Sequence, residues 1–375
     1  MIEKIIMFFG AKRDFEKIVK EETGTYFEII SFMELIQHYN ARLRPNESGV
    51  GEDGLYEKIQ VDACVVRSDD YASVLEHVIS NFSNIVSINY DIKLLVIQNP
   101  PKRVQDSLEN YYDNIEYKFS KYTIINREIL KEVYSGLCND VLGQQTCKRQ
   151  IISGLYRLIS EYKEKPVVLM LYGPSGVGKT ESAKSISKSL GGELLRIQFS
   201  MMQTEDAYNY IFGAGHAKSS FAKDLLGRES NVVLIDEFDK VNPIFYNAFY
   251  QLFDEGTYVD SNYSVDLKNT IFLCTCNFNS EEEIERILGP AMYSRIGCCI
   301  EYGQLEQEQK KIIIKSWYET ITARLDAEEK NAIEATDIMQ WFLNNSERYD
   351  NIRSLKTKLE NAIYNELTDQ YIIGE

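Results

Sequence analysis

VVLMLYGPSGVGKTESAKSISKSL, residues 167–190, decides how the rest of this chain is read. Six residues of an apolar run lead into GPSGVGKT, 173–180, which fits the spacing G-x-x-x-x-G-K-[ST], and a helical pattern follows at once. A buried strand delivering such a loop to a new helix is the setting in which the pattern acquires a mechanism. Gly173, Gly176 and Gly178 let backbone N–H groups converge on phosphate oxygens, and the helix adds the positive end of its dipole. The whole loop, with Pro174, Ser175 and Val177 between the glycines, is therefore expected to bind nucleotide. Lys179 would reach the β- and γ-phosphates and Thr180 would ligate magnesium, so ATP and magnesium are the expected cofactors.

Two further strands supply what a phosphate loop needs. NVVLIDEFDK, 231–240, is an apolar run that ends in adjacent carboxylates. Alternate side chains of a strand point to opposite faces, which gives Asp236 and Glu237 different tasks. Asp236 would hold magnesium through water; Glu237 would orient and polarise the attacking water. TIFLCTCN, 270–277, ends in Asn277, whose amide is suited to bridge that water and the γ-phosphate. An asparagine also ends strands for turn reasons, so its role rests on the company it keeps.

Composition bounds the function classes. The 375 residues allow two or three domains, and 44% apolar with 12% aromatic residues is a globular composition. A net charge of −16 argues against a general nucleic-acid-binding surface, which needs clustered Lys and Arg. The seven cysteines read as reduced core residues, since neither Cys274/Cys276 nor Cys298/Cys299 has the usual metal-ligand gap. His38, His77 and His216 are far apart in sequence. No apolar run approaches ~18 residues and MIEKIIMFFGAKRD lacks a signal-peptide pattern, so no membrane partner and a cytoplasmic location are expected.

KIIMFF (4–9), FEIISF (27–32) and IKLLVI (92–97) read as strands, with helical spacing over 12–21, 33–39 and 71–82, which suggests a βαβ rhythm. RPNESGVGEDG, 44–54, reads as a mobile loop, and Asp62 and Asp91 as solvated loop acids. The texture changes at 123, and the last ~70 residues are helical. The expected division is a 1–122 α/β domain, a 123–302 nucleotide-binding subdomain and a 303–375 helical lid. No internal repeat is visible.

With these blocks in order, residues ~138–375 resemble an AAA+ ATPase, and within it the Clp branch: the second ATPase ring of Clp disaggregases, with the ClpX and HslU unfoldases as relatives. DVLGQQTCKRQI carries the leading V-x-GQ motif, and LLRIQFS, LIDEFDKVNP, QLFDEGTYVD and DLKNTIFLCTCN follow in family order. GPAMYSRI, 289–296, resembles the block that ends in an arginine finger, which implies that Arg295 reaches a neighbouring subunit's γ-phosphate. RYDNIRSLKTKLENAI resembles the lid block, which implies that Arg353 senses the γ-phosphate within its own subunit; Asn351 and Ser354 replace that block's glycine and proline. The fold implied is a P-loop NTPase core with a parallel five-stranded sheet of order 5-1-4-3-2, a C-terminal helical lid, and a hexameric ring as homo-oligomer. Residues 1–122 do not resemble the all-helical N-terminal domain of the disaggregases, so an unknown protein partner is expected to be engaged there.

Threading relatives place a G-aromatic-V-G loop between the phosphate loop and the acidic strand. Here that interval holds GAGHAKSSF, 213–221, whose tip has no tyrosine or phenylalanine. Grip on arbitrary chains draws on rigid apolar area, which His and Lys supply poorly. Tyr258 and Tyr263, in the segment expected to form a second pore loop, are the candidates to replace it. Three readings stand: an ATP-driven remodeller of one protein partner, a nucleotide-gated assembly switch without threading, and, disfavoured by the acidity, a nucleic-acid loader or defence ATPase.

Overall fold

In the computed structural model, which describes residues 2–24, 28–43, 58–159, 165–199, 202 and 204–374, two parallel sheets follow one another along the chain. The expected 44–54 loop lies outside the described residues. The first sheet contains β1 (Lys4–Phe9), β2 (Ile29–Ser31), β3 (Ile59–Val66), β4 (Tyr90–Gln98) and β5 (Ile115–Phe119) in the order β2-β3-β4-β1-β5. Its helices are α1 (Lys12–Thr23), α2 (Phe32–Leu43), α3 (Glu76–Ser80), α4 (Phe82–Ile88) and α5 (Lys102–Glu109). The strand period is visible in β1: Ile5 and Met7 enter one apolar cluster with Phe32 and Phe82, while Ile6 and Phe8 enter another with Phe15.

Two strands here were not expected. β3 pairs in parallel with both β2 and β4, and β5 is a five-residue edge strand with two half-buried and three exposed residues, too short to announce itself. The helix expected over 71–82 is broken into a 3-10 turn, α3 and the start of α4. At the α3–α4 break the Asn81 side-chain amide donates to His77 O at 3.0 Å, the kind of local bond that competes with a continuous helix. Asp62 and Asp91 are drawn into surface ion pairs with Lys93 and Lys58.

The second sheet is preceded by α6 (Arg127–Asp140) and α7 (Gln145–Leu155). In chain order it contains β6 (Val167–Tyr172), α8 (Lys179–Leu190), β7 (Leu195–Gln198), α9 (Thr204–Phe212), α10 (Phe221–Gly227), β8 (Val232–Asp236) and α11 (Tyr246–Glu255). A hairpin of β9 (Thr257–Val259) and β10 (Ser264–Asp266) precedes β11 (Ile271–Thr275), α12 (Glu281–Leu288), α13 (Pro290–Tyr293) and β12 (Cys298–Glu301). The order is β12-β6-β11-β8-β7, all parallel, which is the expected 5-1-4-3-2. β6, β8 and β11 are buried along their whole length, as strands covered by helices on both faces must be.

Four helices close the chain: α14 (Gln307–Thr322), α15 (Ala327–Glu334), α16 (Ile338–Asn344) and α17 (Ile352–Thr368). Ile314, Tyr318, Ile333, Leu355, Leu359 and Ile363 belong to a cluster of their own, apart from the sheet cores. Capping boxes at Glu306/Gln309 and Asp326/Glu329 start α14 and α15. No helix among the described residues is long and apolar enough to cross a membrane.

Candidate nucleotide-binding site

β6 ends at Tyr172 and α8 begins at Lys179, so GPSGVG forms the turn between them. Gly173, Gly176 and Gly178 have φ of 127, 83 and 108°, values at which any side chain would be strained. At Gly173 the space is closed as well: a Cβ would lie 2.2 Å from Tyr302 O. Val177 is buried, Pro174 and Ser175 are exposed, and Thr180 stands in the first turn of α8.

Lys179 is buried, and its Nζ donates to Gly173 O at 2.5 Å, to Pro174 O at 2.8 Å and to Asn277 Oδ1 at 3.2 Å. Burial pushes its ammonium below the usual lysine value; Cys276, Asp239 and Asp236 act in the opposite direction. The first and fourth strands of the sheet thus bring the loop lysine and the strand-end asparagine into direct contact, although they are 98 residues apart.

Asp236 ends β8 and is buried; its carboxylate accepts from Arg196 Nε at 2.9 Å and Nη2 at 2.5 Å, and from the Thr275 hydroxyl. Glu237 follows with φ 56°, a left-handed conformation uncommon outside glycine and asparagine. Two bonds hold it there: its N–H donates to Thr275 Oγ1 at 3.0 Å, and its Oε2 accepts from Gln198 Nε2 at 3.0 Å. Arg196 and Gln198 lie two apart on β7, so both project from one face of that strand toward the paired carboxylates of β8. Neither was singled out in the sequence, where LLRIQFS entered only as one block of the family order; alternation of a charged and an amide residue before an acidic strand end was the available signal.

The lid reaches the same loop. A Cβ on Gly176 would lie 3.2 Å from Asn351 Oδ1 and 3.6 Å from Arg353 N, so the first turn of α17 stands against the phosphate turn. Asn351 caps that helix by accepting from Arg353 N at 2.9 Å and Ser354 N at 3.3 Å. The V-x-GQ segment closes the other side: a Cβ on Gly178 would lie 3.2 Å from Val141 Cγ1, and one on Gly143 would meet Gln309 of α14.

Arg295 is not brought to this cluster within the chain. Its Nε and Nη2 each stand 2.7 Å from Asp254 Oδ2, its Nη1 donates to Ala291 O, and its guanidinium covers the Tyr250 ring at 4.5 Å. GAGHAKSSF forms a turn in which Lys218 N donates to Gly215 O at 2.9 Å, and His216 is buried with Nε2 2.9 Å from Val74 O of the first sheet's unit. Tyr258 and Tyr263 are each 3% exposed and belong to the core cluster of Phe221 and Phe249. The Tyr258 hydroxyl donates to Ile211 O at 2.5 Å. The two tyrosines are therefore packing residues of the hairpin, and the expectation that they replace a missing grip is corrected: rings that pack a core present little surface to another chain.

These residues fit a magnesium nucleotide. The loop supplies converging backbone donors and a buried cation, and Thr180 and Asp236 supply hard oxygen donors of the kind magnesium takes.

Residues 164–333 match the family described as AAA domain (Cdc48 subfamily). The chain is similar to the ATP-dependent Clp protease ATP-binding subunit ClpL of Staphylococcus aureus. It is 25% identical over 321 residues to that of strain bovine RF122 / ET3-1, covering 74% of this chain and 45% of the relative. Against strain USA300 the identity is again 25%, with 74% and 46% covered. The chain spans less than half the length of these curated relatives. Among solved structures it is similar to the S. cerevisiae Hsp104-ADP complex, with a TM-score of 0.53 and 19% identity over 66% of this chain and 49% of that one. That likeness bears on the fold.

Proposed function

We propose that this chain, whose residues 164–333 match the AAA domain family and which is similar to ClpL, is an AAA+ ATPase of the Clp/Hsp100 type that binds ATP with magnesium in the 173–180 loop, hydrolyses the terminal anhydride, and uses the cycle to remodel one particular protein partner as an oligomeric ring. The proposed division is a partner-engaging 1–122 domain, a 123–302 ATP-binding subdomain and a 303–375 lid. The observation that carries the reading is Lys179, buried at the start of α8 and bonded to both Gly173 O and Asn277 Oδ1. Nucleotide chemistry explains why a chain would bury an ammonium among glycines with positive φ.

In the proposed reaction the loop N–H groups and Lys179 bind the phosphates, and Thr180 and Asp236 hold magnesium, which when bound neutralises charge on the β- and γ-phosphate oxygens. Glu237 accepts the proton of the attacking water at its carboxylate. Asn277 orients that water, and Arg353, at the lid turn beside Gly176, reads the γ-phosphate. Arg295, already fixed in the chain by Asp254 and Tyr250, is presented to a neighbouring subunit.

A second reading is favoured by a specific observation. His216 is buried and Tyr258 and Tyr263 are in the core, so neither segment between the phosphate loop and β11 offers an aromatic grip. A nucleotide-gated assembly switch needs no such grip. A pull-down with Glu237→Gln subunits in ATP separates the two: a trapped client chain supports remodelling, and a stable homo-oligomer without client supports the switch. Capture identical with and without ATP would contradict both.

A further inference from the structure

We infer that residues 4–119 are a second copy of the ATPase fold, with its nucleotide position filled by its own side chains, and that this copy acts as a fixed cap on the 213–218 turn and the β9–β10 hairpin of the nucleotide-binding sheet. The inference goes beyond the proposed function and does not depend on hydrolysis.

Numbered within each sheet, both strand orders are 2-3-4-1-5, and every neighbour is parallel. The correspondence extends to single hydrogen bonds. Ser120 N donates to Phe9 O at 2.9 Å as Tyr302 N donates to Tyr172 O at 2.8 Å, and Asn99 N donates to Phe8 O at 2.8 Å as Cys276 N donates to Leu171 O at 3.0 Å. Gly10 therefore stands where Gly173 stands, at the end of the first strand. Both have large positive φ, 148 and 127°, and both face the residue after the fifth strand: a Cβ on Gly10 would lie 2.1 Å from Ser120 Oγ. No sequence repeat announces this, because the correspondence lies in strand register and backbone bonding.

From that shared glycine the two copies diverge. α8 begins six residues after Gly173, and α1 begins two residues after Gly10, so the first copy lacks most of the loop. The backbone groups left at the turn are satisfied from within. Asn99, 1% exposed, accepts from Gly10 N at 2.8 Å and donates to Gly10 O at 2.9 Å. Ser120 Oγ accepts from Ala11 N at 3.0 Å and donates to Asp14 Oδ2 at 2.9 Å. A carboxylate in the first turn of α1 also takes the place that the helix dipole would otherwise offer a phosphate. At the end of the third strand the charge is reversed: register places Arg67 where Asp236 stands, and Arg67 pairs with Glu16 at 2.8 Å. The loop is thus shortened, and internal bonds occupy the turn after β1 and the end of β3, the positions of GPSGVGKT and Asp236 in the other sheet.

What the first copy does have is a built face toward the second. His216 Nε2 is 2.9 Å from Val74 O, and Lys102 N donates to Asn262 O at 2.7 Å. The Asn262 side chain in turn donates to Ala214 O at 2.7 Å, which ties turn and hairpin together beneath the contact. At the other end Tyr122, beyond β5, donates to Arg228 O at 3.2 Å and receives the Arg228 guanidinium over its ring at 4.6 Å. Arg228 is itself almost fully buried, so this end is a packed joint.

Two measurements on the full chain test the inference. Calorimetric titration with magnesium-ADP is expected to give one site per chain for the wild type and none for Lys179→Ala. A second site, or binding retained by Lys179→Ala, would overturn the filled-site assignment; no binding even to the wild type would sink the proposed nucleotide site and leave the first copy nucleotide-blind, as inferred. Hydrogen exchange at the Lys102 amide reads the cap. That amide opens α5, has no partner within the helix, and follows two prolines, so its protection reports the bond to Asn262 O alone. It is expected to exchange about 100-fold or more slower than in an unstructured peptide, and to lose most of that protection in a His216→Ala, Tyr122→Ala double variant. An unprotected Lys102 amide in the wild type, or protection unchanged in a folded double variant, would overturn the cap.

Discussion

In the proposed reaction the Lys179 ammonium and the Glu237 carboxylate divide the work of the site, and each can be removed separately. Lys179→Ala is expected to abolish the stabilisation that magnesium-ADP confers on the wild type, about 2.7 kcal/mol at a hundredfold excess over Kd, read as the shift in denaturation midpoint. Because burial lowers the lysine's pKa, its charged form carries a cost in the folded state at neutral pH that fades as pH rises toward the ordinary 10.5. The stability of the wild type should therefore gain on that of Lys179→Met between neutral pH and 10.5 in paired denaturation curves; parallel curves would mean the lysine is not desolvated. Glu237→Gln keeps shape and both neighbours, and is expected to bind ATP normally while turnover falls about 100-fold or more. At this scale the candidate residues were legible where they share one motif. Lys179, Thr180, Asp236 and Glu237 each sit in a recognisable run, whereas Arg196, Gln198 and Thr275 act on the carboxylates from neighbouring strands, a relation that no single run displays.

Elements decide how those residues meet. α17 starts with Asn351, which caps two amides and stands against Gly176, so the lid's position is coupled to the loop through one side chain. Asn351→Ala is expected to cost about 1 kcal/mol in urea denaturation, the usual loss for a cap, and to weaken nucleotide binding as well. Asn351→Gly, which retains most of the capping preference, should restore stability without restoring affinity if the amide oxygen itself matters to the loop. Uninterrupted apolar runs made β6, β8 and β11 legible in advance, and helical spacing made α8 so. β5 was not, because a single five-residue I-E-Y-K-F alternation at a sheet edge, with three residues exposed, is too short to stand out, and the 71–82 helix failed because Asn81 bonds back to His77 O. Tyr258 and Tyr263 were misread for another reason: sequence position suggested a loop, and only the hairpin pairing shows the rings turned into the core.

The whole molecule holds two parallel sheets of one strand order and a helical unit with its own core, whose α17 start stands against Gly176 of the second sheet. Arg295, fixed by Asp254 and covering the Tyr250 ring, acts in the proposed ring at the scale of the assembly. Arg295→Ala is expected to reduce hydrolysis by 10^3-fold or so, in line with arginine fingers supplied by a neighbour. Mixing it with Glu237→Gln, itself inactive, should recover activity where an intact site meets an intact finger; a mixture no more active than its parts would place Arg295 outside the reaction. The repeat of strand order was invisible in the sequence because topology is carried by which strands pair, and very different residues can satisfy one register. The central claim, that the 173–180 loop and the strand ends beside it form an ATPase site, is tested most directly by measuring ATP binding and phosphate release side by side in wild type and Glu237→Gln. The account predicts one ATP bound per chain in both and phosphate release from the wild type alone; equal release from the two proteins, or no ATP bound by either, would contradict it.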